Sequence, residues 1–208
     1  MTIEKNSPFS AKETADCLAS GKIAIVPTDT VYGFSGIVDL KADGKKNCDC
    51  LIRKIKGRGE DKPFIQLIAS PEEIWNYTDD RISEELLALW PGPLTIIVHV
   101  KEDSPQDTEL TAIAFRCPGD KWLRDVIRRT GRPIYSSSVN RSGSPVLSTI
   151  ADIEKEFAAE VSLIVRDGDK RGSLPSTIVS VEDGIVKVIR QGAMQLPAGL
   201  TASTAACP

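Results

Sequence analysis

Aromatic residues make up only 5% of this 208-residue chain, and histidine occurs once. The shortage of aromatics leaves little material for the base-stacking surfaces that read single-stranded RNA. The lone His99, between Val98 and Val100 on a predicted strand, has no Gly-x-Ser-x-Gly elbow to complete a Ser-His-Asp hydrolase, and it reads as a structural or exposed side chain. No apolar run approaches the roughly 18 residues of a membrane span, and residues 1–10 lack the basic start and apolar stretch of a secretory signal. The expectation is a cytoplasmic protein that does not engage a membrane. An excess of positive charge is also missing: the net charge is −3 and the pI about 5.4, against a surface that grips nucleic acid all over. The five cysteines (Cys17, Cys48, Cys50, Cys117 and Cys207) are odd in number and scattered, as expected of reduced thiols. Cys48 and Cys50 have the wrong spacing for a zinc knuckle, Cys117 has no evident base, and no structural metal is expected. Neither a Gly-x-x-x-x-Gly-Lys-Ser/Thr loop nor a Gly-x-Gly-x-x-Gly fingerprint is present.

The composition is that of a globular domain, 41% hydrophobic and 26% charged in 22.5 kDa, large enough for one substantial core. Apolar runs of strand length alternate with segments of helical spacing, which predicts a single α/β domain over residues 1–193. Helices are expected over 10–20 (a Ser10/Glu13 capping box, with Gly21 as the stop), 44–55, 120–130 and around Ile153 and Phe157. Ser70, Pro71 and Glu73 mark a further start, and a helix through Leu86 ends at the Trp90-Pro91-Gly92-Pro93 bend. Strands are expected over 22–26, 64–69, 95–100, 113–116, 134–135 and 163–165, and Glu182-Asp183-Gly184 joins a final hairpin, 177–181 with 185–190. Residues 194–208, rich in alanine, threonine and proline, read as a disordered tail.

The most informative stretch is 22–36. An apolar strand meets Pro27, then Thr28-Asp29-Thr30 and two glycines, so polar groups are delivered to a strand end, where open α/β sheets bind small ligands. A second strand runs into Ser136-Ser137-Ser138-Val139-Asn140. With no phosphate loop, a triphosphate would have to be held by side-chain cations and loop hydroxyls; Lys56, Arg58, Ser138 and Arg190 are the candidates. Each has a plainer explanation. Cations at 54, 56 and 58 suit a helix C-terminus by about 0.3–1 kcal/mol through the helix dipole alone. Arg116 and Arg190, at strand ends, equally suit surface ion pairs of little worth.

Taken together and in order, Pro27-Thr28-Asp29-Thr30-Val31-Tyr32-Gly33, Lys56-Gly57-Arg58, Leu89-Trp90-Pro91-Gly92-Pro93-Leu94-Thr95, Phe115-Arg116-Cys117-Pro118, Ser138-Val139-Asn140-Arg141-Ser142-Gly143, Ser176-Thr177 and Arg190-Gln191-Gly192 resemble the YrdC/TsaC family. The resemblance implies a YrdC/RibB-like fold, a twisted open mixed sheet with helices packed on it, in the short single-domain form. It implies threonylcarbamoyl-AMP synthesis, in which L-threonine, bicarbonate or CO2, and ATP with Mg2+ give threonylcarbamoyl-AMP and pyrophosphate for tRNA threonylcarbamoyladenosine. It implies ATP-binding roles for Lys56, Arg58, Ser138, Asn140 and Arg190, with Lys56 and Arg58 also catalytic, and threonine-binding roles for Thr28, Arg116, Ser136 and Ser176. The implied partners are tRNA-modification proteins that take the adenylate. Direct contact with tRNA or double-stranded RNA is the rival reading, as an RNA-binding protein without this activity. Asp29, Gly59, Ala112, Val139 and Val146 stand where relatives commonly carry glutamate, proline, threonine, alanine and serine, departures that bear on the nucleotide contacts.

Overall fold

The apolar run before Pro27 forms a short strand, β2 (Ala24–Val26), buried on all sides as a central strand must be. It is one of ten strands in a mixed sheet seen in a computed structural model that describes residues 1–42, 44–59 and 63–200. In chain order the elements are β1 (Thr2–Glu4), α1 (Ser10–Ala19), β2, β3 (Gly33–Ser35), α2 (Cys48–Lys56), β4 (Ile65–Leu67), a 3-10 turn (Pro71–Asn76), α3 (Glu84–Leu87), β5 (Leu94–His99), β6 (Ala112–Arg116), α4 (Lys121–Thr130), β7 (Ile134–Ser138), α5 (Ile150–Phe157), β8 (Leu163–Arg166), β9 (Thr177–Glu182) and β10 (Ile185–Arg190). The strand order across the sheet is β1-β8-β2-β3-β7-β4-β6-β5-β9-β10. Parallel pairs (β1 with β8, β2 with β8, β4 with β6, β5 with β9) occur beside antiparallel ones, giving the mixed sheet expected of the fold.

Most expected elements are present, with local differences that have physical causes. Ser10 does not cap α1. Its hydroxyl donates to Lys5 O and accepts from Trp122 Nε1, so it ties the end of β1 to α4 instead. The Ser70/Glu73 capping box is made, but the segment it opens is a 3-10 turn rather than an α-helix. Asp120 and Thr149 cap α4 and α5 through the backbone N–H groups of Leu123 and Asp152. Gly21, Gly57 and Gly131 take the left-handed backbone that ends α1, α2 and α4. The hairpin between β9 and β10 turns on Asp183 and Gly184, both at positive φ as a tight primed turn requires.

Two apolar clusters hold the sheet. The larger gathers Leu18, Ile25, Phe34, Ile52, Val126, Ile134, Phe157 and Ile164 between the sheet and its helices; Phe34 and Phe157 meet edge to face with centroids 4.9 Å apart. Each such fully buried side chain contributes roughly 1.5–3 kcal/mol. The smaller cluster gathers Ile74, Leu86, Trp90, Ile96, Phe115 and Val179 beneath the 3-10 turn and α3. The stretch expected as a tail begins packed: Met194, Leu196 and Leu200 lie against this second cluster, and Met194 N–H donates to Thr177 Oγ1. Residues 201–208 lie outside the described residues. Among the described residues, no helix is long and apolar enough to cross a membrane.

The β9–β10 hairpin returns along an unusually close path. A Cβ on Gly192 would stand 2.3 Å from Pro175 O and 2.5 Å from Ser176 C, so only glycine lets this backbone lie against the segment that enters β9.

Candidate active site

Strand register decides which polar residues share a face. Ser138 pairs with Gly33, Ser136 with Ile65, and Leu67 with both Ile134 and Arg116. Because paired and next-but-one residues point the same way, Ser136, Ser138, Ile65 and Arg116 project from one face of the sheet. Gly33 leaves room there, since a Cβ on it would lie 3.0 Å from Ser136 Oγ. Over this face the loops after β2, β7 and β8 and the Arg190 side chain enclose a cavity of about 500 Å³, within the range of about 300–1,000 Å³ usual for small-ligand sites.

The walls have a clear chemical character. Arg58, Arg116, Lys170 and Arg190 line them, with Thr28, Thr30, Ser136, Ser137, Ser138, Ser148, Ser173 and Ser176; among the described residues no aspartate or glutamate does. In a chain of net charge −3 this concentrates positive charge and hydroxyl donors in one hollow, an arrangement for anions.

At one end the groups lie at or just beyond strand termini, and most are buried. Arg116 closes β6 with its guanidinium fully oriented: Nε donates to Gly92 O (3.1 Å), Nη1 to Thr30 Oγ1 (3.0 Å) and Nη2 to Asp29 Oδ1 (2.5 Å). Asp29 is itself fixed by Gly119 N–H. These three bonds leave two guanidinium N–H groups for a ligand. Gly92 comes from the proline-flanked bend, which Cys117 O clamps to β6 by accepting Gly92 N–H. Thr28 Oγ1 donates to Val31 O and stands 2.9 Å from Thr30 Oγ1, a hydroxyl turn after Pro27. Ser176 Oγ bonds Thr95 Oγ1, and Arg190 Nη2 donates to Ser176 O at 2.7 Å. Burial, and then the charge of Arg116, lower the Arg190 pKa, so an anion bound beside Arg190 is favoured.

At the other end the groups lie on loops and on the last residue of β7, and are less buried. Arg58, just past α2, donates to Pro63 O and Ser137 Oγ and lies over the Phe64 ring. Ser138 Oγ donates to Asn140 Oδ1. Lys56 and Asn140 do not line the cavity; they stand directly behind it. The left-handed Gly57 ends α2 so that Lys56 points inward, 3% exposed, with Nζ donating to Ser138 O (2.5 Å), Asn140 O (2.9 Å) and Asn140 Oδ1 (3.0 Å). Burial, and then the neighbouring Arg58, bring its pKa down to about 8. Asn140 Nδ2 donates to Arg141 O and Ser144 O, so its amide is also occupied by the loop.

Of the residues singled out in the sequence, Thr28, Arg58, Arg116, Ser136, Ser138, Ser176 and Arg190 therefore share one cavity, and Lys56 and Asn140 support it. Sequence reasoning missed Lys170, Ser173 and Tyr32 as wall residues. The Tyr32 hydroxyl donates to Gly168 O and accepts from Asp167 N–H, both at 2.8 Å, and so seats the loop that carries Lys170. The only signal for that loop was its pair of glycines, Gly168 and Gly172, both left-handed in the structure.

The Sua5/yciO/yrdC family pattern, described as "Telomere recombination", matches residues 16–192. The chain belongs to this family. Its relatives include a protein of Pyrococcus abyssi named threonylcarbamoyl-AMP synthase, 29% identical over 93% of this chain and 57% of that protein's length. Another, from Methanocaldococcus jannaschii and named putative threonylcarbamoyl-AMP synthase, is 31% identical over 86% of this chain and 84% of its own length. Among solved structures, P. abyssi Sua5 complexed with L-threonine superposes with a TM-score of 0.78 at 28% identity, over 92% of this chain and 57% of that one. The chain thus spans a little over half of the P. abyssi relative, and the family fold accounts for the mixed sheet.

Proposed function

We propose that this chain makes threonylcarbamoyl-AMP and pyrophosphate from L-threonine, bicarbonate or CO2, and ATP, in the cytoplasm, for tRNA-modification proteins that take up the adenylate. The observation that carries this reading is the cavity itself: four cations and a row of hydroxyls with no wall carboxylate among the described residues, with a buried end and a less buried end. The names of the relatives agree with it.

The reaction needs a threonine carbamate oxygen to attack the α-phosphorus while pyrophosphate leaves, so the protein must align two anions and stabilise charge on phosphate oxygens. Arg116 takes the threonine carboxylate with its two remaining N–H groups, and Thr28, Ser136 and Ser176 surround the rest of the amino acid. Arg58 and Ser138 face the nucleotide at one end, and Arg190, held by Ser176 O near Arg116, reaches it from the other. Arg58 supplies the charge that grows in importance at the transition state. Lys56 acts through Ser138 and Asn140, whose carbonyls it holds. Enclosure by the loops limits water around the labile carbamate.

The walls do not fit a resident metal. Among the described residues they carry no carboxylate, and no group of three or more His, Cys, Asp or Glu is placed to hold an ion. Mg2+ belongs to this reading as part of the ATP substrate, carried on the phosphates. The deciding experiment is pyrophosphate release from ATP by the purified chain. Release is expected only with threonine and bicarbonate together, and equal release without threonine overturns the proposal.

A further inference from the structure

One wall cation, Lys170, is given no role by the motif residues. Lys170 lies in the loop between β8 and β9, and its ammonium is 3.0 Å from Asp167 Oδ2. The same oxygen is 3.0 Å from Lys5 Nζ, and Lys5 in turn is 2.5 Å from Asp120 Oδ2 at the start of α4. Burial would raise the Asp167 carboxyl, but hydrogen bonds from Lys170 and Lys5 outweigh it and hold the group below the ordinary value. The row Asp120, Lys5, Asp167, Lys170 alternates in sign and ends on a positive group at the cavity wall. A negatively charged ligand is what continues it.

The backbone indicates which ligand. Lys170 N–H donates to Ser148 O (2.7 Å), and Leu147 N–H, one residue earlier, donates to Val139 O (2.8 Å) between Ser138 and Asn140. Lys170 is thereby fastened to the segment that follows Ser138 on the cavity wall. We propose that Lys170 is a phosphate-binding residue for the nucleotide, set in place by Asp167 and Lys5, and a cation that the sequence motifs do not contain. This rests on the nucleotide reading of the Ser138 end. Its neighbour Arg171 pairs with Asp169, is exposed, and does not line the cavity, which makes it an internal control.

The test compares Lys170→Met, Lys170→Arg and Arg171→Ala in the full chain, measuring KM for ATP, KM for threonine, kcat and the melting temperature. Lys170→Met should raise KM for ATP by about tenfold or more, the range for losing a charged hydrogen bond, with KM for threonine within about twofold. Lys170→Arg should retain most of the ATP affinity, and Arg171→Ala should match the parent. An unchanged KM for ATP in Lys170→Met, an effect confined to threonine, or an equal effect of Arg171→Ala overturns the proposal. If Lys170→Met does not fold, Lys170→Gln and Lys170→Arg are read by the same criteria. Should the parent chain release no threonine-dependent pyrophosphate, the reaction reading fails by itself. Calorimetric titration of ATP then still decides Lys170: weaker binding by Lys170→Met supports the assignment, and equal binding overturns it.

Discussion

At the Arg116 end of the cavity the polar groups lie at or just beyond strand ends and are buried, Thr28, Thr30, Arg116 and Ser176 each being at most 4% exposed. At the Arg58 end they lie on loops and on the last residue of β7, where Arg58, Ser138, Ser148 and Lys170 are only partly covered and Ser173 is exposed. The first end is assembled by the sheet register and by a bend clamped to β6. The second depends on side chains holding backbone: Lys56 on Ser138 and Asn140, Tyr32 on Asp167 and Gly168. A small amino acid is best selected by rigid, desolvated groups. A long, flexible polyphosphate is best followed by groups that can adjust.

Substitutions at the two ends should therefore fail in different ways. The largest effect is expected from Arg116→Ala, which removes the carboxylate partner and strands Asp29. Activity should be lost beyond detection, and unfolding free energy should fall by about 1–3 kcal/mol, as the buried guanidinium's bonds to Gly92 O, Thr30 and Asp29 are lost. Retained stability would show that Asp29 is solvated well enough to stand alone. Next comes Arg58→Ala, expected to cut kcat/KM for ATP by about 10²-fold, like the loss of one transition-state donor, with the melting temperature nearly unchanged. A lowered melting temperature with intact kinetics would return Arg58 to a structural role.

Lys56 sharpens the contrast through pH. Its ammonium is needed to hold the Ser138–Asn140 segment, so activity should decline as pH rises through about 8. Stability should respond with the opposite sign. The folded value lies below the ordinary 10.5, the unfolded chain binds this proton more tightly, and so unfolding free energy should gain between about 8 and 10.5. Lys56→Arg, which does not titrate in this range, should abolish both trends. The smallest effect is expected from Tyr32→Phe, which loses the two bonds that seat the Lys170 loop. About 1–2 kcal/mol should be lost, together with a raised KM for ATP and an unaltered KM for threonine. Equal changes in both constants would mean that the two ends are not independent.

The elements legible in the sequence were those with strong punctuation. Pro27, the proline-flanked Gly92 and the Asp183-Gly184 turn mark boundaries that depend on local backbone chemistry alone. β3 was not legible, because Gly33-Phe34-Ser35 is three residues long and opens with a glycine that reads as a turn; it is a strand because β2 and β7 flank it. β1 is likewise a strand through its pairing with β8. The motif residues were found, but not their depth. The inward turn of Lys56 depends on the phase at which Gly57 stops α2. Lys170 reaches the cavity through Tyr32, 136 residues from Gly168, a contact that no local pattern encodes.

The absent side chain at Gly192 has an outcome for how variants of this protein should be judged. Any other residue there must push against Pro175 and Ser176, and Ser176 O is the acceptor that aims Arg190. Damage at a position that touches no substrate would thus displace a guanidinium from the cavity and mimic a defect in chemistry. Screens that sort inactive alleles by distance from the reacting atoms would misfile it.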